Sequence, residues 1–406
     1  MGQLQRRIKL SPAWRSSLFF FMFWAAMSIF GPFKNVYLSH LGLTGLEIAI
    51  LNVLAPTMTL FAAPALSVLA DRRRWRKRIL IYGLGGVVLL LGLYGLPKTF
   101  LALLPIAAIL AMISSSILPI SNSLIARMAQ RHSLDFGKLR FWGSLSFALG
   151  SIAFGALWER HGFDAMFIAC AVAFIPVMGL AFTLEESAAQ RSEERRSLKR
   201  VLQDKGLTAL LAATFLYGVG ETLYANFSGI YMDSLGGGQQ LVGAIFGLSA
   251  LAELPAMQYG GDAARKVGRP VVILIGYAAS VIAYFGYAAS DTPALLLLYG
   301  ALKGFGFGLS YAVAIALVDV RAPESWSSTL QSLMTAMSWG LAPLITLPLG
   351  GWLSDLLGLP VVFLGAGIAQ AAAIVILLFA ILGDKFAEKP LLGMQIGYEK
   401  AVSLEH

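Results

Sequence analysis

The chain has 406 residues, of which 57% are hydrophobic and only 13% are Asp, Glu, Lys or Arg. A soluble globular chain carries about 25% charged residues, so this one has too little charge to cover a water-exposed surface of its size. Its net charge of +9 does not point to nucleic acid, because the basic residues sit in short clusters between apolar runs.

Those apolar runs are about 20 residues long, enough for a helix to cross a ~30 Å hydrocarbon core. Breaks at charged and turn-like stretches predict twelve spans: 16–39, 46–70, 78–97, 99–127, 138–158, 163–184, 206–233, 239–260, 269–289, 294–321, 326–354 and 358–382. The first is too long and too aromatic for a cleaved signal peptide. The stretch EESAAQRSEERRSLKRVLQDKG (185–206) is the longest polar segment and follows the sixth span. The expected domains are an N-terminal segment (1–15), a six-helix bundle (16–184), a linker (185–205), a second bundle (206–385) and a tail (386–406). Leu404-Glu405-His406 reads as vector sequence leading into a purification tag.

Threading the spans alternately puts all but four of the 31 Lys and Arg on one side; the exceptions are Lys34, Lys98, Arg160 and Lys303. Six of them crowd into RRRWRKR (72–78). The positive-inside rule makes that side, with both termini and the linker, cytoplasmic. The expected location is the bacterial inner membrane, and the 72–78 cluster reads as a topology anchor.

The two halves repeat each other. PALSVLAD (64–71) matches PAMQYGGD (255–262), each after the second span of its half. GALWERHGFDAMF (155–167) matches GWLSDLLGLPVVF (351–363), with glycines seven apart and an acid four after the first. Two matches at equivalent places indicate duplication. Such halves, related by an axis along the membrane normal, form a transporter architecture with its binding site near the midplane. The predicted fold is an all-α membrane protein of twelve transmembrane helices in two pseudo-symmetric six-helix bundles.

An ionisable residue deep in a span is a functional candidate by default. Three qualify: Glu221, Glu253 and Lys303. Tyr217, Glu221, Tyr224 and Ser228 share one helix face, as do Lys303, Phe307, Ser310 and Tyr311. Glu253 lies among Leu251, Ala252, Leu254 and Ala256, and Pro255 frees a carbonyl near Leu251 that a protonated carboxyl could donate to. Burial favours the neutral acid, which makes Glu253, and after it Glu221, the expected proton carrier. Arg140, Ser144, Phe147 and Ser151 form a stripe in the first half. Asn52, Asn122 and Gln331 read as buried amides, and Lys34 as a lysine reaching for the interface. GFGFG (304–308) has no Gly-Lys-Ser/Thr after it and no strand before it, so it reads as helix packing rather than a phosphate loop. Cys170 is the single cysteine, and His40, His132 and His161 lie at span ends, which argues against a metal site. No cofactor is expected.

The Asp-Arg-basic loop SVLADRRRWR (67–76), its partial echo DAARKVGR (262–269) and the central linker resemble the major facilitator superfamily. IFGPFKNVYLSHLGLTGLEIAIL (29–51), DFGKLRFWGSLSF (135–147) and LAELPAM (251–257) resemble its lactose permease-like and phenylpropionate permease-like members. The resemblance implies that Asp71, Arg72, Asp262 and Arg269 belong to conformational-switch loops. It also implies a substrate site drawn from Arg140, Asn122, Ser144, Phe147, Tyr217, Tyr224, Lys303, Phe307, Tyr311 and Gln331. In the lactose permease pattern the arginine at position 140 contacts sugar and pairs with a span 4 glutamate; Asn122 stands there instead. That leaves Arg140 to face a substrate carboxylate.

The expected function is proton-coupled symport of a small organic solute of the aromatic acid, sugar or nucleoside class, by alternating access. An uncoupled or sodium-coupled carrier of the same fold is the alternative; a non-transporting membrane sensor or scaffold is the alternative of another class. Neither an enzyme nor a nucleic-acid binder is expected. The partners are the solute, protons and membrane lipid, and the expected state is a monomer.

Overall fold

The computed structural model describes residues 11–73, 75–186, 204–321 and 327–383. The expected N-terminal segment up to residue 10, linker residues 187–203 and the tail from 384 lie outside them. The twelve spans appear in the predicted order, and three are interrupted. Span 1 is α1 (Pro12–Phe30) plus α2 (Lys34–His40). It breaks where Pro32 has no N–H to donate. Trp158 Nε1 donates to the Ile29 carbonyl at 3.0 Å, next to that break. Spans 2 and 3 are α3 (Gly45–Arg73) and α4 (Arg76–Tyr94). Span 4 divides at Ser115–Ser116 into α5 (Phe100–Ser114) and α6 (Ile117–Arg131). Spans 5 and 6 are α7 (Phe136–His161) and α8 (Met166–Ala181), the latter apolar but only 16 residues long.

The second half has α9 (Lys205–Ser234), α10 (Gly238–Val267), α11 (Arg269–Ala289) and α12 (Pro293–Arg321). Span 11 is α13 (Ser327–Ala336), a single π turn over Met337–Leu341, and α14 (Ala342–Leu357). α15 (Leu359–Leu382) is span 12. Polar caps start the spans that leave charged loops. Asp135 accepts from Gly137 N at 2.8 Å to open α7, and Asp204 accepts from Gly206 N at 2.8 Å and Leu207 N at 2.9 Å to open α9. Each satisfies first-turn donors that the helix itself leaves orphaned.

The halves meet in two places, α7 against α10 and α3 against α14. Exchanging the halves carries span 2 to span 8 and span 11 to span 5, so these are one interface used twice. Repeated glycines let the helices approach. A Cβ on Gly155 would press on the Gln239 carbonyl, and one on Gly351 on the Gly45 carbonyl. Within the second half, a Cβ on Gly304 or Gly308 would collide with the carbonyls of Ser249 and Glu253, which sets α12 directly on α10.

Polar ties between the halves gather at the end opposite the basic loops. Glu159 accepts from the backbone N–H of Gln239 and, at 3.1 Å, of Gln240. Asp355 accepts from Gly45 N at 2.6 Å and Leu46 N at 2.9 Å. His40 meets Asp233 at 2.7 Å, and Asn35 Nδ2 donates to the Asn226 carbonyl at 2.9 Å. This end is referred to below as the closed end.

Candidate functional site

The site is built around α9 and α12. Glu221 and Lys303, only 3% and 7% exposed, form an ion pair at 2.5 Å. Tyr284 of α11 donates to Glu221 Oε1 at 3.2 Å. The Lys303 ammonium also lies 4.6 Å from the centroid of Tyr224 and 5.0 Å from that of Phe307. A buried charge persists when it is paired and its donors are used; these two are paired with each other and wrapped by aromatic faces. Tyr217 stacks on Tyr277 at 4.9 Å and Phe307 on Tyr311 at 5.2 Å, so the predicted aromatic stripes of α9 and α12 form one continuous wall.

Glu253 of α10 is half-buried, and the charges that act on it belong to Lys303, Glu221 and Arg140. Its apolar sequence neighbours do not describe its surroundings. The basic groups come from other helices, and one of them comes from the other half. Among the described residues its carboxyl makes no hydrogen bond, so the Leu251 carbonyl freed by Pro255 is not its partner. Arg140 stands one turn into α7, its guanidinium 5.8 Å from the ring centroid of Trp24 on α1. Phe147 meets the same indole edge-on at 5.9 Å. Tyr311 has Arg140, Glu253 and the indole of Trp339 as polar neighbours, Trp339 being presented by the π turn. Together Arg140, Glu253, Tyr311 and Trp339 join the halves at the level of the charged pair.

Two six-helix halves around a buried set of charges match what known proteins share with the chain. The model of the MFS_1 like family matches residues 13–364. The chain belongs to the MFS_1 like family. Maltose permease of Geobacillus stearothermophilus is 27% identical over 365 residues, 89% of this chain and 92% of that one. The probable 3-phenylpropionic acid transporter of Escherichia coli (strain K12) is 24% identical over 367 residues, 88% of this chain and 95% of that one. A crystal structure of a mutant of the nucleoside transporter NupG superposes with a TM-score of 0.80 at 14% identity, covering 90% of this chain and 99% of that one. The MFS_1-like chain is thus an integral membrane transporter and not an enzyme.

Not every residue singled out in the sequence of this MFS_1-like transporter joins the site. Asn122 and Gln331 are half-buried rather than buried, because each lies near the basic-loop end of its span. Asn122 Oδ1 is shielded but unpaired, and Gln331 sits one turn into α13. Ser144 is half-buried on α7, and Ser310 turns back onto the Gly306 carbonyl at 2.8 Å. In the loops, Arg72 is exposed, Asp262 pairs locally with Arg265, and Arg269 opens α11 after Gly268. The side chain of Asp71 lies outside the described set.

Lys34 is the main correction. It does not reach out to the interface but turns inward, its ammonium donating to Asn52 Oδ1 and lying 5.7 Å from the Phe30 centroid. Asn52 Nδ2 donates to Asn35 Oδ1 at 3.0 Å, and Asn35 goes on to Asn226 across the halves. A signal for this region was present in the sequence. PFKNVYLSHLG (32–42) at the end of span 1 matches NFSGIYMDSLG (226–236) at the end of span 7. Both segments end in a left-handed glycine, Gly42 at φ 81° and Gly236 at φ 78°.

Proposed function

We propose that this transporter is a proton-coupled symporter of a small organic solute, working by alternating access with Glu253 as the proton carrier. The observation that carries the reading is the position of Glu253 between Lys303 of its own half and Arg140 of the other. An ionised Glu253 attracts both cations and so draws the halves together around the site. A protonated Glu253 releases Arg140, whose planar fork is then free to bind the solute. Loading the proton therefore prepares the cation that holds the substrate, and losing it returns that cation to the carboxylate. Glu221 is held by Lys303 in either state, which leaves Glu253 as the acid free to change charge.

The reading places the basic loops in the cytoplasm of a bacterial cell. With the ties at the other end, this corresponds to a carrier closed to the outside. The names of the relatives bound the solute to the sugar and aromatic acid classes, and the superposed structure adds nucleosides.

The test uses proteoliposomes with an imposed pH gradient. Glu253→Gln copies the neutral acid, so it should retain solute binding and exchange but lose uphill accumulation. Accumulation by Glu253→Gln would remove Glu253 from coupling, and accumulation driven by sodium without a pH gradient would replace the proton.

A further inference from the structure

The interior carries more positive than negative charge. Glu221 and Lys303 neutralise each other, and Glu253 has Arg140 nearby. Lys34 has no acid: among the described residues its ammonium meets only the amide oxygen of Asn52 and the face of Phe30. An ammonium has three donors, and one is used. A cation shielded from bulk water without a counter-ion is costly inside a membrane protein and marks a functional position.

The fold itself does not require this cation. In the match between the ends of spans 1 and 7, the residue equivalent to Lys34 is Ser228, which is fully buried in the same setting. The second half builds the same span end around a neutral side chain. The cation of the first half is also held in place. Asn52, 6% exposed, accepts its proton, and Asn35 and Asn226 hold Asn52 through a chain of amides that crosses the halves. Asn226 lies five residues beyond Glu221 on α9, about 7.5 Å toward the closed end at 1.5 Å per residue.

We propose that Lys34 is an anion-binding residue and that the transported solute is a small organic anion, its carboxylate docking on the two free donors of the Lys34 ammonium. Asn52 is a positioning residue that aims the ammonium and leaves those donors open. The proposal rests on the transport reading above and names its substrate class. It also closes the charge balance. With Glu253 protonated the interior holds Lys34 and Arg140 uncompensated, and an anionic solute supplies the missing negative charge.

The experiment measures ligand-induced melting shifts of the purified protein in detergent. The probes are four carboxylates (3-phenylpropionate, benzoate, lactate and glucuronate), the neutral 3-phenylpropionamide, maltose and uridine. Stabilisation by at least one carboxylate and not by the neutral compounds is expected. In Lys34→Ser, which copies Ser228, the ligand-free melting temperature should hold while affinity for that carboxylate falls roughly tenfold or more, the loss of a charge-assisted hydrogen bond. Lys34→Arg should retain most of the affinity. Asn52→Leu should weaken carboxylate binding while leaving the preference for anions intact. Stabilisation by neutral compounds alone, by no compound, or by carboxylates equally in Lys34→Ser overturns the proposal. Counterflow of the bound carboxylate in proteoliposomes separates the two readings. Lys34-dependent binding without counterflow removes the transport reading and leaves the anion site. Counterflow of neutral solutes only does the reverse.

Discussion

Glu159 and Asp355 perform the same task from opposite halves. Each stands four residues after the first glycine of the repeated motif, and each caps the first turn of a helix in the other half. A carboxylate there satisfies orphaned N–H groups and meets the positive end of the helix dipole. The acid that looked like a mere signature of duplication is thus the fastening of the closed end. Loss of a cap costs about 1 kcal/mol, or roughly a fivefold change in an equilibrium. Glu159→Ala or Asp355→Ala should therefore shift the carrier toward opening at this end. The check is labelling of Ser228→Cys, buried here, by an impermeant thiol reagent applied from the closed-end side. Each substitution should raise its rate about fivefold, and the pair more. Unchanged labelling in the double variant would show that the caps do not control closure.

Glu221 and Lys303 should depend on each other. Removing one leaves an uncompensated buried charge, which costs about 3–5 kcal/mol. Glu221→Gln alone and Lys303→Gln alone should each lower the melting temperature or abolish expression, and the double variant should recover part of the loss. Strict additivity would mean that the two do not interact.

Arg140 should not tolerate lysine. A lysine keeps the charge but lacks the fork that reaches Glu253 and the solute together. Arg140→Lys should weaken solute binding about tenfold or more while the fold, measured by melting without ligand, holds. Equal affinity would return Arg140 to an anchoring role against Trp24.

Orientation is open to a direct measurement. Lys266 and Thr292 are exposed at opposite ends of α11. In intact cells a cysteine at Thr292 should label with an impermeant reagent and one at Lys266 should not. The reverse pattern would invert the topology drawn from the basic loops.

The spans were legible because a membrane helix needs only length and apolar composition, which the chain displays openly. Their interruptions were not. Nothing in apolar composition fixes where span 4 divides at Ser115–Ser116 or where span 11 widens into a π turn. The charged pair was legible as two deep charges on facing stripes, since periodicity within one helix shows what shares a face. It cannot show which neighbouring helix that face meets. Hence Lys34, read from its own helix, seemed to point at the interface, while Asn52 eighteen residues later draws it inward. Glu253 failed as a reading of environment for the same reason: its neighbours in sequence are apolar, and its neighbours in space are cations.

The π turn at Met337–Leu341 makes the residue count of span 11 part of its function. Such a turn accommodates one residue more than an α-helix would. Deleting any one of the five would let the helix close its ordinary ladder, and everything from Ala342 onward would rotate by about 100°. Asp355 would then swing off Gly45 and Leu46, although neither it nor its partners had been altered. Span 11 is therefore a phased element. A substitution in the turn changes a local contact, but a one-residue change in its length moves the fastening at the far end of the molecule.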